Sequence, residues 1–322
     1  MRARLLQLLL NSKDYISGEA ISKQLGISRT AVWKHIKALK DDGHIIEAHY
    51  GKGYLLAKLS DFLTPEKMKI GLECQVFASE MLHFVETSST NEEVKKLGEK
   101  GFPEGAVVIA EQQIGGKGRL GRSWSSPNGG IWFSILLRPT IPPWKASQLS
   151  LLAAAALQQT LLKEYKLASR IKWPNDLLVE GKKICGILTE MKGEMDKVNY
   201  VIMGIGINAN LQEYDFSPEL RQGVTSLQMI LGEKVDRVRL LQKYLLSLEQ
   251  YYFDYLANGF KKTREICKRW SYTLSKAVTL YDNGKKINGK AVDIGEDGSL
   301  IVNVQGNLLS FYGGEVSTQE TQ

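Results

Sequence analysis

Two hydrophobic periods divide this chain. In SGEAISKQLGISRTAVWKHIKALKDDG, which begins at Ser17, apolar positions recur at helical spacing: Ala20, Ile21 and Leu25 in one run, Ala31, Val32, His35, Ile36 and Leu39 in the next. Ser17 and Ser28 stand where N-caps belong, and Gly26 suits a left-handed turn between the two helices. HIIEAHY and GYLLAKL then flank Gly51-Lys52-Gly53 and predict a two-stranded wing with a basic tip. The second helix carries Arg29, Thr30, Lys34 and Lys37 opposite its apolar stripe, a helix-turn-helix pattern able to offer Ser28, Arg29, Thr30 and Trp33 to a DNA major groove. A helical hairpin used only for packing, with Trp33 in its core, is the plainer alternative.

Thr64 before Pro65 marks a helix start and places a boundary near residue 62. A second helix begins near Asn91 behind Ser88, Ser89 and Thr90, whose hydroxyls suit either capping or a small polar ligand. Beyond it, period-2 runs dominate: AVVIAEQQ, IWFSILL, a strand ending at IKWPND, a hairpin around Glu180-Gly181, and VNYVIMGIGINAN. One long helix, SQLSLLAAAALQQTLLKEY, interrupts them. From about residue 272, short strands separated by turns at Asp282-Asn283-Gly284, Glu296-Asp297-Gly298 and Gln305-Gly306-Asn307 predict a small barrel. The pattern is that of a multidomain α+β chain: a winged helix-turn-helix over 1–62, a mixed-sheet α/β domain over 63–271 and a β-barrel over 272–322.

Charge sharpens the picture at one end. Residues 1–60 hold ten Lys or Arg against five Asp or Glu, so +5 of the net +7 lies there, which suits a nucleic-acid partner or simply a solvated face. The three cysteines, Cys74, Cys185 and Cys267, form no C-x-x-C and fit a reducing cytoplasm. The start of the chain lacks a cleavage-site pattern for a signal peptide, and no apolar run approaches a membrane span, so no membrane partner is expected. All four histidines precede residue 84, so chemistry in the remainder must run on Lys, Arg, Asp, Asn and backbone groups.

The strongest chemical signal is EQQIGGKGRLGRSW, from Glu111 to Trp124. Gly116, Gly118 and Gly121 formally match G-x-G-x-x-G, but a second strand follows where a dinucleotide fold needs a helix. A P-loop and the kinase motifs are also missing from the sequence. A glycine loop with Lys117, Arg119 and Arg122 between two strands is instead suited to fold around a phosphate or carboxylate, and to be mobile before it does so. Lys172, Asp176 and Lys183 come from neighbouring strands and can share one face, either as a plain surface ion pair or as a site where the acid could hold an incoming amine and a lysine could neutralise paired anions. Gly204 and Gly206 would let a flat ligand approach the backbone, with Asn208 offering a bidentate amide.

Taken in order, the helix-turn-helix with its GKGY wing, S-T-N at 89–91, the G-K-G-R-x-G-R loop, KWPND, K-x-x-G-I-L, G-I-G-I-N and the final GGE are similar to the bifunctional biotin protein ligases that also repress biotin synthesis. The resemblance spans nearly the whole chain. It implies condensation of biotin and ATP to biotinyl-5'-adenylate, with Mg2+, then transfer to a lysine of a biotin carboxyl carrier protein. It also implies a homodimer, formed on ligand or DNA binding, that grips operator DNA, and a C-terminal SH3-like barrel. By the same resemblance, Ser89, Thr90, Asn91 and Gln113 hold the biotin ring. Gly116, Lys117, Arg119 and Arg122 grip the biotin carboxylate and adenylate phosphate, with Trp124 beside the adenylate. Lys183 bridges the reacting oxygens, and Asp176 positions the acceptor lysine and helps hold magnesium. Lys172, Asn175 and Asn208 map to nucleotide contacts, and Gly186, Leu188, Gly204 and Gly206 to the walls of the biotin slot. On the DNA side the resemblance covers Ser28, Arg29, Thr30, Trp33, Lys34, Lys37 and Lys52. Relatives often carry arginine at the positions of Lys117 and Leu120, so charge is kept at the first and lost at the second. A biotin-sensing winged-helix regulator without catalysis, or a lipoate ligase, are the competing readings.

Overall fold

The computed structural model describes residues 1–194, 197–282 and 285–318, and its chain forms two compact units, Met1–Glu73 and Cys74–Gln322. The expected turn at Asn283-Gly284 lies outside the described residues.

The first unit is a winged helix. Helices α1 (Arg2–Leu10), α2 (Gly18–Leu25) and α3 (Arg29–Asp41) precede strands β1 (Ile45–His49) and β2 (Gly53–Lys58), and a one-turn helix α4 (Pro65–Met68) closes the unit. Ser17 accepts the Ala20 amide, Ser28 accepts the Ala31 amide, and Gly26 has φ +67°, so both caps and the turn form as their residues dictate. The core joins Val32, Ile36 and Leu39 of α3 to Leu5, Leu6 and Leu9 of α1. The sequence pattern had not marked α1 as a helix. Its short apolar run, RLLQLLL, is in fact one face of the winged-helix core. Gly53 is required where the wing meets Ile16, since a Cβ there would stand 2.0 Å from the Ile16 carbonyl oxygen.

The second unit is built on a seven-stranded sheet in the order β3-β4-β5-β9-β8-β7-β6. Its strands are β3 (Met81–Thr87), β4 (Val107–Gln113), β5 (Ile131–Leu137), β6 (Arg170–Lys172), β7 (Asp176–Val179), β8 (Lys182–Gly193) and β9 (Val198–Ile207), and only the β3–β4 pair is parallel. Helix α5 (Thr90–Glu99) connects β3 to β4, and α6 (Ala146–Tyr165) connects β5 to β6. Residues 149–157 of α6 are all buried, because the helix is held between the sheet and α8 (Arg237–Asn258); helices α7 (Leu227–Leu231) and α9 (Lys261–Arg269) complete this layer. Glu249 of α8 accepts the amides of Gln75, Val76 and Phe77 at 2.8, 2.8 and 2.6 Å, tying down the start of the unit.

The last strands, β10 (Ala277–Asp282), β11 (Lys285–Ile294), β12 (Leu300–Val304), β13 (Asn307–Phe311) and β14 (Glu315–Thr318), form an antiparallel sheet in the order β13-β12-β11-β10-β14. Strand β14 was not foreseen. The turn at Glu296-Asp297-Gly298 docks on the β6–β7 turn and α6, where Trp173 Nε1 donates to the Gly298 carbonyl at 3.0 Å and Gln148 donates to the Glu296 carbonyl at 3.1 Å.

Candidate active site

A cavity of about 320 Å3, within the usual range for a small-molecule site, opens among the glycine loop, the β6–β7 turn, strands β8 and β9 and the end of the chain. One end is polar and uncharged. Ser89, Thr90, Asn91 and Gln113 all line it. Ser89 is the N-cap residue of α5, yet its side chain makes no capping bond, so the capping reading of these hydroxyls fails. The Thr90 amide donates to Gln113 Oε1 at 2.8 Å, and Gln113 Nε2 donates to Ser126 Oγ at 2.8 Å. Thr90 Oγ1 also lies 2.7 Å from Ser134 Oγ, which is 2.6 Å from Asn91 Oδ1, while Asn91 Nδ2 donates to Glu190 at 2.5 Å.

The floor is glycine for steric reasons. A Cβ on Gly204 would stand 2.1 Å from Asn91 Oδ1, one on Gly206 2.4 Å from Trp124 Nε1 and one on Gly186 2.9 Å from the Trp124 ring. The groups closest to the two β9 glycines are therefore the protein's own amide and indole, which corrects the expectation that both lie bare for a flat ligand. Trp124 Nε1 is buried without a hydrogen-bond partner among the described residues, and the Trp124 ring meets Trp132 edge-on at 6.4 Å.

The other end is charged. Register places Lys172 opposite Asp176 and Asp176 opposite Gly186. Lys183 Nζ lies 2.7 Å from Asp176 Oδ1, an ion pair within the cavity. The same ammonium sits 4.9 Å from the centre of the Trp124 ring. Across the cavity, Arg119 donates to Asn175 Oδ1 at 3.3 Å, and Asn175 Nδ2 donates to the Ile187 carbonyl at 2.7 Å. Burial pulls the Arg119 guanidinium below its ordinary pKa, and Asp176 only partly offsets this. Such a cation gains from an incoming anion. Arg122, Lys172 and Leu188 also line the cavity.

The loop itself folds back as a small hairpin, in which Gly118 N donates to the Arg122 carbonyl at 2.7 Å and Trp124 N to the Gly116 carbonyl at 2.8 Å. Three expectations need correction here. Gly116 does not line the cavity: a Cβ there would collide with the Trp124 carbonyl at 2.4 Å, so this glycine serves the hairpin. Lys117 lines the cavity but donates to Glu92 at 2.6 Å, an ion pair that raises the lysine and lowers the acid from their ordinary pKa values. To grip an anion it must change partners. Asn208 also lines the cavity, but its amide protons go to the Thr225 and Lys183 carbonyls at 3.0 and 3.4 Å, so only its oxygen remains and a bidentate contact is impossible.

Other lining residues carried no local signal in the sequence. Phe216, Leu220 and Val224 come from an irregular segment after β9, and Val316 from β14, just beyond Gly314 of the GGE motif, which lines the cavity too. Their chain distance from the motifs hides them. Among the described residues no three His, Cys, Asp or Glu side chains gather as a metal site, and Asp176 is the only carboxylate lining the cavity. Cys185 and Cys267 are buried with their thiols shifted upward by desolvation, hence protonated and unreactive at neutral pH.

In the first unit, Ser28, Arg29, Thr30, Lys34 and Lys37 are exposed on α3, and Lys52 is exposed on the wing. Trp33 is 55% exposed with Lys37 Nζ 5.9 Å from its ring centre, which removes the alternative of a core tryptophan. The Ser28 hydroxyl accepts the Ala31 amide as its cap and keeps its proton and a second lone pair for a further contact. No helix among the described residues is long and apolar enough to cross a membrane.

Comparison with known proteins agrees with this geometry. Residues 84–208 match the biotin/lipoate A/B protein ligase family, residues 2–55 an HTH domain and residues 273–318 the biotin protein ligase C terminal domain. The chain is 39% identical to the bifunctional ligase/repressor BirA of Bacillus spizizenii, covering 98% of both chains, and 30% identical to that of Escherichia coli, covering 99% of this chain and 97% of the other. Its fold matches the biotin protein ligase of Aquifex aeolicus in complex with biotin and ATP with TM-score 0.66 and 28% identity, over 76% of this chain and 100% of that one. With a relative of that identity along almost its entire length, and all three segments accounted for, the chain belongs to the family of bifunctional biotin ligase/repressors.

Proposed function

We propose that this protein joins biotin to ATP, transfers the biotinyl group to a lysine of a biotin carboxyl carrier protein, and represses transcription through its winged helix with biotinyl-5'-adenylate as corepressor. The observation that carries the reading is one cavity with an uncharged hydrogen-bonding end at Thr90 and Gln113 and a cationic end at Arg119 and Lys183. The ring of biotin fits the first, and its carboxylate reaches the second.

In the first step a biotin carboxylate oxygen attacks the α-phosphorus of ATP and pyrophosphate leaves. Two anions must approach each other, and Arg119 and Lys183 supply fixed positive charge where they meet. Magnesium would arrive with the triphosphate, neutralising its charge; a lone cavity carboxylate, Asp176, fits an ion held mainly by phosphate and water. In the second step the carrier's lysine amine attacks the acyl carbon and AMP departs. Asp176, the ion-pair partner of Lys183, accepts a hydrogen bond from that amine and orients it. A sensor without catalysis has no use for such an acid. Lys172, Asn175 and Asn208 serve the nucleotide, and Gly186, Leu188, Gly204 and Gly206 wall the biotin slot. Arg122 and Trp124 close over the adenylate, and Lys117 joins them after leaving Glu92.

The functional division runs at about residues 62 and 271. Two copies pair through sheet edges on ligand or DNA binding, and the dimer places two recognition helices on a two-fold operator in the cytoplasm. The test incubates the protein with biotin, magnesium and ATP labelled at its α-phosphate. Bound biotinyl-adenylate and released pyrophosphate are expected, with Arg119→Ala losing the adenylate at least tenfold faster. Biotin binding without pyrophosphate release would leave a sensor and refute the roles of Lys183 and Asp176.

A further inference from the structure

Glu190, on β8, is not among the residues that line the cavity, yet it ends a chain of hydrogen bonds that begins inside it. The direction of every bond in that chain follows from the acid. A carboxylate only accepts, so the Asn91 amide must turn its Nδ2 to Glu190 and its Oδ1 inward. Gly204 leaves room for that oxygen, since any Cβ there would overlap it. Ser134 Oγ, 2.6 Å from Asn91 Oδ1, must then donate its single proton to Asn91. The 2.7 Å contact between Ser134 and Thr90 needs a proton as well, and only Thr90 can supply it. The longer 3.1 Å contact from Thr90 Oγ1 to Gln113 Oε1 is left without one, so Gln113 Oε1 accepts only the Thr90 amide. Each hydroxyl has one proton, and Glu190 decides where both go.

We propose that Glu190 is a positioning residue that fixes Thr90 Oγ1 and Gln113 Oε1 as acceptors, and thereby selects a ligand presenting an N–H donor to these two oxygens. The inference rests on the biotin reading, because the ureido ring of biotin offers such donors and the dithiolane of lipoate offers none. Without Glu190 the Asn91 amide can turn over. Ser134 then donates to Thr90, and the Thr90 proton occupies Gln113 or points into the cavity against the ligand.

Glu190 also acts on the charge of Lys117, so removal of charge must be separated from removal of the acceptor. Glu190→Gln keeps an acceptor oxygen without the charge, and Glu190→Leu removes both. Calorimetry on the full chain with biotin and with each of the two ureido N-methylbiotins, together with KM values for biotin and ATP, reads the effect. The expected result for Glu190→Leu is a roughly three- to tenfold weaker biotin affinity, about the worth of one hydrogen bond. Its preference for biotin over the more discriminated N-methyl isomer should shrink by the same factor, with melting temperature and KM for ATP unchanged. Glu190→Gln should stay within about twofold of the parent, since its oxygen can hold Asn91 in place. An unchanged preference in Glu190→Leu overturns the relay, as does a Gln variant as impaired as the Leu variant, which would assign the effect to charge. If the parent protein fails to bind biotin, the ligase reading falls instead, and the relay with it.

Discussion

Gly204 shows what a single residue controls here. Its Cα faces the Asn91 amide so closely that one added methyl would sit 2.1 Å from the oxygen. Gly204→Ala is therefore expected to push Asn91 aside and weaken biotin binding by about ten- to a hundredfold, the 1–3 kcal/mol typical of overpacking, measured by calorimetry. An alanine that binds as well as glycine would mean that Asn91 is free to move. The sequence made such residues visible as types, because glycines, lysines and an S-T-N triplet in order are unusual. It could not reveal how they are used. Gly116 serves the loop hairpin, Lys117 is held by Glu92, and the protons of Asn208 are spent on two carbonyls, each through a partner brought near only by folding.

At the scale of elements, legibility followed local signals. Helices α2 and α3 declared themselves through Ser17, Gly26 and Ser28, whereas α8, with Arg237 and Glu249 buried among its apolar residues, served partners far away in the chain. The joint between α3 and β1 gives a second prediction. His44 is 3% exposed; its Nδ1 accepts the Ser60 amide, and Nε2 has no partner among the described residues. Burial, then the nearby Lys67 charge, lowers its pKa to about 4, with Glu66 opposing. The folded state thus favours the neutral ring. Its contribution is present in full above the unfolded value of about 6.5 and is lost as pH falls toward 4, amounting to roughly 3 kcal/mol at most. His44→Gln should flatten this acid loss in melts of the full chain between pH 7 and 4.5, although it lowers stability at pH 7. Parallel curves for the two proteins would show that His44 does not titrate in this range. The recognition helix gives a third. Trp33→Ala should weaken specific DNA binding by about tenfold while leaving adenylate formation and melting temperature unaltered, as expected for an exposed aromatic that contacts base edges. Equal loss on unrelated DNA would assign Trp33 to the backbone instead.

For the whole molecule, the order of modules was legible because each has its own period and turn chemistry, and the resemblance gave the last segment a part in ATP and carrier binding, while the way its residues reach the cavity was not legible. Gly314 and Val316 follow the last of the sequence-marked strands, and only folding brings them to the cavity that the glycine loop lines. The cavity is thus lined by segments from Ser89 to Val316, and a ligand's binding must stabilise whichever arrangement of them it fits best. If the arrangement that holds adenylate is also the one that pairs copies and grips DNA, the two affinities are linked, and the factor is the same in both directions. A coupling of about 1–3 kcal/mol corresponds to about 5–150-fold. Saturating biotinyl-adenylate should then tighten operator binding by that factor, and saturating operator should lower the adenylate dissociation constant equally. Since +5 of the net +7 charge lies in residues 1–60, salt should weaken the DNA step strongly and adenylate binding to the DNA-free protein little. Both titrations at two salt concentrations test the scheme together. A tightening of DNA binding by adenylate without the equal reverse effect would break the thermodynamic cycle, and a null effect in both directions would separate enzyme from repressor within one chain.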